Sequence, residues 1–159
     1  MLGYAIMSHV TFKKLVSRMG SARTQHGAIC WRERNGKVQV LLITSRRTGR
    51  WVIPKGWPEE GEKPPATAHR EAAEEAGVEG KVLPVCLGVF SYVKHPDLHD
   101  ALPCVVAVYP VKVRSLARNW PERGERRRKW FTPKKAAAEV EETELARILK
   151  GFDPSQLRR

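Results

Sequence analysis

Apolar positions along the chain fall into short runs, and their period changes from place to place. GAICWRE (27–33) and VQVLLITS (38–45) are β-prone stretches separated by RNGK. The Asn35-Gly36 pair at the centre of that break tolerates positive φ, as a tight hairpin turn requires. RRTGR reads as a loop, and WVIP as a short strand ended by Pro54. From Pro65 to Ala76 the pattern becomes helical, with Pro65 suited to the first turn and Gly77 standing just past the end. Ala66, Ala72, Ala73 and Ala76 give this helix a small-residue face that can lie close against a sheet. KVLPVCLGVFSYVK (81–94) and PCVVAVYPVKV (103–113) read as two longer strands joined by the HPDLHDAL loop. KWF (129–131) is a last short strand. Leu145, Ile148, Leu149 and Phe152, spaced i, i+3, i+4, i+7, then offer the apolar face of a closing helix. Strands, helix, strands and helix in this order predict an α+β fold, a mixed β-sheet flanked by helices. One domain over 26–153 is expected, with 1–25 a basic, flexible lead-in and 154–159 a tail.

The predicted helix carries an anomaly. Glu71, Glu74 and Glu75 stand at i, i+3 and i+4, where like charges cost about 0.2–0.5 kcal/mol per pair. Glu74 and Glu75 also lie beside the negative pole of the helix, where bases are favoured over acids. The chain as a whole has a formal net charge of +12, so the concentration of acids here is local and specific. Helix stability does not account for it, and an external cation does. Hard divalent ions take oxygen ligands from a few carboxylates, water and substrate phosphates.

Written with its spacings, the stretch is Gly56, five residues, Glu62, seven residues, Arg70-Glu71-Ala72, one residue, Glu74-Glu75, one residue, Gly77-Val78. It resembles the signature of the Nudix hydrolases at every fixed and apolar position. The resemblance implies an α/β/α sandwich and a metal-dependent hydrolysis of diphosphate linkages, with Mg²⁺ as the cofactor and Mn²⁺ as the alternative. It implies Glu74 and Glu75 as metal ligands with Glu71 beside them, and a backbone carbonyl from Gly56. Arg70 would orient Glu71 or Glu74, and Glu62 would hold the loop or support the metal through water. One of the three helix glutamates would act as base. His95, Asp97, His99 and Asp100, in the loop spanning 94–103, are further candidates for a ligand or base.

Charge adds the next distinction. Lys and Arg number 29 against 17 Asp and Glu, which implies an anionic partner. The bases gather before the motif (Arg46, Arg47, Arg50, Lys55) and before the last strand (Arg123, Arg126, Arg127, Arg128, Lys129). Arginine forks suit phosphate, and Arg46, Arg47, Arg50, Lys55, Arg127 and Arg128 are the expected substrate contacts. Trp57, next to Gly56, is either a stacking platform for a base or a packing residue, while Trp31, Trp51 and Trp130 belong to the core. SRRTGRWVIP, EEAGVEGKV, LGVF and RRRKWF also resemble the diphosphoinositol polyphosphate phosphohydrolases, a branch that accepts dinucleoside polyphosphates. Lys55-Gly56 replaces the Gly-Gly usual there and is more like the diadenosine tetraphosphate hydrolases. The expected substrate is therefore a polyphosphorylated small molecule. An RNA 5′-pyrophosphohydrolase or another nucleoside-diphosphate-X hydrolase is the rival enzyme, and the intact carboxylate set argues against a non-catalytic RNA-binding module.

No apolar run approaches the ~20 residues of a membrane span. The N-terminal stretch lacks a basic segment ahead of a continuous apolar core, so no signal peptide is expected. Cys30, Cys86 and Cys104 are scattered and form no CxxC, which fits reduced thiols in a cytoplasmic protein.

Overall fold

A computed structural model of the protein describes residues 23–94 and 102–157. Its strands are β1 (Arg23–Arg34), β2 (Lys37–Thr44), β3 (Trp51–Val52), β4 (Lys55–Gly56), β5 (Val78–Val82), β6 (Gly88–Lys94), β7 (Leu102–Leu116) and β8 (Arg128–Phe131). The helices are α1 (Pro64–Ala76), α2 (Pro133–Glu139) and α3 (Thr143–Lys150), followed by a 3-10 turn over Pro154–Leu157.

β1 runs parallel to β7, from Arg23 beside Cys104 to Trp31 beside Lys112. Both strands are buried without alternation over their central residues, as expected of strands covered on two faces. β1 therefore begins at Arg23, ahead of the His26 boundary expected from sequence. Antiparallel pairings add β2 to β1, β8 and β3 to β2, and β5 and β6 to the far edge of β7. The predicted hairpin is present: Arg34 faces Lys37, with Asn35 at φ 53 and Gly36 at φ 73.

The run 81–94, expected as one strand, is two. β5 starts at Val78 and pairs with the C-terminal half of β7, whereas β6 pairs with its N-terminal half. Pro84 lies between them and has no N–H to continue a ladder. The backbone N–H groups of Leu83 and Leu87 still reach the Pro110 and Val108 carbonyls at 3.0 and 2.8 Å, so the chain steps along β7 without leaving it.

A second break in regularity creates room for a site. β1 pairs with β2 only from Cys30 onward; before that point it pairs with β4 at His26 and Gly27. β2 meanwhile turns to β3 at Ile43 and Thr44. The two strands part, and residues 51–56 fill the opening, where the Ala28 N–H donates to the Pro54 carbonyl at 2.9 Å.

Helices cover both faces. On one side Leu145 and Leu149 of α3, with Phe152, pack against Ile29, Leu42, Phe90 and Val106. Trp31 meets Phe152 edge to face at 6.0 Å, and Trp51 meets Phe131 in the same way at 5.1 Å. Trp130 is only partly buried and lies under the Arg32 guanidinium at 4.0 Å. On the other side α1 lays Ala68, Ala72 and Ala76 on Ala28, Cys30, Leu41 and Ile43. The expected small-residue face is thus rotated: Ala66 is exposed and Ala68 takes its place. The helical period puts 68, 71, 72, 75 and 76 in one stripe, so Glu71 and Glu75 share the buried side with the alanines.

Candidate active site

Glu71 and Glu75 are each only 9% exposed, whereas the Glu74 side chain is 42% exposed. β4 lies directly beneath them. The Lys55 N–H donates to Glu75 Oε2 at 3.3 Å, and a Cβ added at Gly56 would collide with the Glu71 carboxyl. Only a residue without a side chain allows this approach. Burial raises the Glu71 carboxyl despite the neighbouring Arg70. Burial likewise pushes Glu75 up to about 7, against the opposing pull of Arg126 and Lys55. Two largely desolvated carboxylates sit over a glycine cradle, each with an arginine at its side. Hard oxygen donors in such a place suit a divalent cation. Among the described residues no three acidic, His or Cys side chains converge on one point, because the glutamates turn toward arginines.

Arg70 organises this face. Its Nε and Nη2 donate to Glu62 Oε2 and Oε1 at 2.9 and 3.0 Å, and Nη2 also donates to the Trp57 carbonyl at 2.9 Å. Nη1 reaches Glu71 at 2.9 Å and Glu74 at 3.3 Å. The sequence led us to expect Glu71 or Glu74 as its partner; the bidentate partner is Glu62, and the helix glutamates share the remaining nitrogen. Glu62 also accepts from the Thr67 hydroxyl at 2.6 Å and the Glu59 N–H at 3.2 Å. Hydrogen bonding from Arg70, above all, holds its carboxyl down at about 2, below its ordinary 4.5. A depressed carboxyl stabilises the fold fully above its unfolded pKa and loses that contribution as pH falls toward its folded value. Wild type should therefore lose urea resistance between pH 4.5 and 2 more steeply than Glu62→Gln, a difference read from urea midpoints across that range.

The late basic run does not act as one cluster. Arg126 Nη2 lies 3.4 Å from Glu75 Oε1 and 3.1 Å from Glu122 Oε1, and Nη1 donates to the Thr44 carbonyl at 3.1 Å. Arg126 and Glu122 were not among the expected site residues. The i, i+4 spacing of Glu122 and Arg126 was the local signal available for this pair. Arg127 is exposed, with its guanidinium 5.7 Å from the Trp51 ring.

Arg128 does not face the glutamates. Its Nη1 donates to the Ala76 carbonyl at 2.9 Å and its Nη2 to the Ala117 carbonyl at 2.8 Å, while the guanidinium stacks on Trp120 at 3.8 Å. It caps the C-terminal end of α1, where a positive charge is favoured. The anomaly read in the sequence, for which an external cation was expected, is thus met in part from within, by Arg70, Arg126 and Arg128. Hydrogen bonds from charged groups are worth about 1.5–3 kcal/mol, so Arg128→Ala should cost stability on that order in urea unfolding. The KM for a phosphate substrate should stay near the wild-type value in the same variant.

The bases before the motif also separate. Arg46, 57% exposed, sits 3.5 Å from Glu122 and 3.7 Å from Glu125. Arg50 is held at 2.6 Å by Glu142 and at 3.6 Å by Glu141. Arg47 and Arg50 line a cleft of about 580 Å³ together with Tyr92 and Glu142. Lys55, partly buried, places its ammonium 4.8 Å from the Tyr92 ring centre. Trp57 has the Lys94 ammonium 5.6 Å from its ring. The His95, Asp97, His99 and Asp100 candidates lie outside the described residues.

A family model described as NUDIX domain matches residues 23–152. The chain is 34% identical over 119 residues to "Nudix hydrolase 12, mitochondrial" of Arabidopsis thaliana, covering 73% of this chain and 59% of that protein. It is 36% identical over 105 residues to "Diphosphoinositol polyphosphate phosphohydrolase 3-alpha" of Homo sapiens, covering 65% and 60% respectively. It thus spans about 60% of the length of these relatives. Among solved structures, an Ap4A hydrolase of C. elegans superposes with a TM-score of 0.58 at 19% identity, covering 81% of this chain and 94% of that one. That likeness is one of fold.

Proposed function

The chain belongs to the Nudix family, and from that premise we propose that it hydrolyses diphosphate linkages in phosphate-rich small molecules. The observation that carries this reading is the pair of buried carboxylates, Glu71 and Glu75, pressed over Gly56 with their pKa values raised by burial. Glu71, Glu74, Glu75 and the Gly56 carbonyl would hold Mg²⁺, with Mn²⁺ as the alternative. When bound, such a cation neutralises phosphate oxygens and lowers the pKa of a coordinated water.

The chain's own residues do the positioning. Arg70 ties Glu62, Glu71 and the Trp57 carbonyl into one rigid set. Arg126 fixes Glu75 from the opposite side. A helix glutamate takes the proton of the attacking water. Arg46 and Arg127 are exposed and of the type that suits outer phosphates. The substrates we favour are diadenosine polyphosphates and diphosphoinositol polyphosphates; the human relative's name supports the second. The three cysteines are buried and free, in keeping with a reducing compartment such as the cytoplasm, although plant relatives carry mitochondrial names. Among the described residues no helix is long and apolar enough to cross a membrane.

Product analysis with Mg²⁺ tests the reading. The panel holds diadenosine tetra-, penta- and hexaphosphate, diphosphoinositol pentakisphosphate, ADP-ribose and 5′-triphosphorylated RNA. Cleavage of the dinucleotides or the inositol compound is the expected result. Best turnover on RNA or ADP-ribose would keep the chemistry and replace the substrate, and no cleavage of any compound would overturn the enzyme reading.

A further inference from the structure

A cleft is lined by Arg47, Arg50, Tyr92, Val93, Glu141 and Glu142, and Lys55 stands between it and the α1 glutamates. The Lys55 N–H binds Glu75, its ammonium rests over Tyr92, and its charge feels Glu142 and Arg50 as well as Glu75. Lys55 thus touches a group that would face substrate phosphates at α1 and, through Tyr92, the wall of this cleft. We propose that the cleft receives a nucleoside, and that Glu141 and Glu142 select dinucleoside polyphosphates over polyphosphorylated inositols. This rests on the reading of the α1 site as a pyrophosphohydrolase.

Charge and shape carry the argument. A ring crowded with phosphates needs cations that are not already committed. Arg50 is committed: Glu142, only 7% exposed at its side chain, holds it at 2.6 Å. Pulling Arg50 onto a phosphate would strand a buried carboxylate, which is strongly unfavourable. Glu141, 72% exposed, adds a second negative charge at the rim. Two arginines against two glutamates leave the lining formally neutral. With Lys55 at its edge the balance is one positive charge, so a second cluster of phosphates entering there would meet two carboxylates with little cationic charge left to offset it.

The same lining suits an uncharged, flat group with hydroxyls. Tyr92, whose hydroxyl donates to Gln25 at 2.6 Å and whose ring carries the Lys55 ammonium at 4.8 Å, adds aromatic surface to the wall. Val93 beside it is 48% exposed, a large apolar side chain left open to solvent. A nucleobase can stack on such a wall whatever its identity. Carboxylates accept only, so Glu141 matches the hydroxyl donors of a ribose.

The test compares kcat/KM for diadenosine pentaphosphate and diphosphoinositol pentakisphosphate in wild type, Glu141→Lys, Val93→Asp and Val93→Ser. Both substituted side chains are solvent-exposed, so the variants should fold. Wild type should favour the dinucleotide, and Glu141→Lys should narrow the ratio about tenfold, lowering the KM of the inositol compound and raising that of the dinucleotide. Val93→Asp should raise the dinucleotide KM about tenfold by wetting the stacking wall, and Val93→Ser, which adds no charge, should do so while leaving the inositol KM alone. A wild-type preference for the inositol compound, or a ratio unmoved by Glu141→Lys, would overturn the proposal. If neither compound is cleaved, the pyrophosphohydrolase reading fails for them. The cleft is then judged by the Kd of a methylene-bridged, non-hydrolysable diadenosine tetraphosphate: weakening in Val93→Asp supports a nucleoside site, and an unchanged Kd removes it.

Discussion

Glu75→Gln should lower turnover of diphosphate substrates by about 10³-fold while leaving the cation-free fold at least as stable as wild type. The two effects separate because the carboxylate is costly where it stands. Glu75 is 9% exposed, and burial pushes it up to about 7 even with Arg126 at 3.4 Å. A carboxyl raised in the folded state contributes stability below its unfolded pKa and loses it as pH rises through the folded value. The loss for Glu75 therefore falls between about pH 4.5 and 7. Glutamine keeps the shape and carries no charge, so the variant should match wild type near pH 4 and exceed it near pH 8 without a divalent cation. Arg126 is not orphaned, since Glu122 still holds it at 3.1 Å. Added Mg²⁺ should reverse the ranking, because a ligand that binds only the folded state stabilises it by mass action. Urea midpoints at two pH values, with and without Mg²⁺, together with product formation, check all of this. Near wild-type turnover in Glu75→Gln would remove Glu75 from the chemistry.

The parts of this site legible in the sequence are those set by local spacing. The α1 boundaries follow from Pro65 and Gly77, the latter observed at φ 65 with its N–H on the Ala73 carbonyl. The glutamate triplet and its tie to Gly56 follow from a motif whose intervals are fixed. What the sequence hid depends on partners brought from elsewhere in the chain. Counting arginines could not show that Arg50 is neutralised by Glu142, or that Arg128 points at the carbonyls of Ala76 and Ala117. Those acceptors include backbone oxygens, which leave no trace in composition. The split of 81–94 into β5 and β6 was marked by Pro84, yet a continuous apolar run outweighed it. The helix face was misjudged because the alanines were read without the glutamates between them. One stripe carries both, and that is how α1 can pack on the sheet and present buried carboxylates at the same time.

Gly56→Ala is the substitution in which geometry should cost most per atom added. Its Cβ would collide with the Glu71 carboxyl, and Glu71 cannot swing away freely. Arg70 holds it at 2.9 Å and is itself fixed by two bonds to Glu62 and one to the Trp57 carbonyl. The clash falls on the end of a side chain and not on backbone, so the fold should survive. Displacement of a reacting group by about 1 Å can cost on the order of 10² in rate, and that is the loss expected in kcat. Gly61→Ala serves as the contrast. Gly61 has φ 73 and open space around its Cα, so alanine there should cost stability through backbone strain while kcat stays near wild type. Shortening the opposing side chain supplies the decisive comparison. Glu71→Asp alone should impair the enzyme, yet in the Gly56→Ala background it makes room for the new methyl and should recover part of the lost kcat. That is a coupling a double-mutant cycle reads directly. Strictly additive losses would mean that Gly56 serves the reaction by some route other than its approach to Glu71.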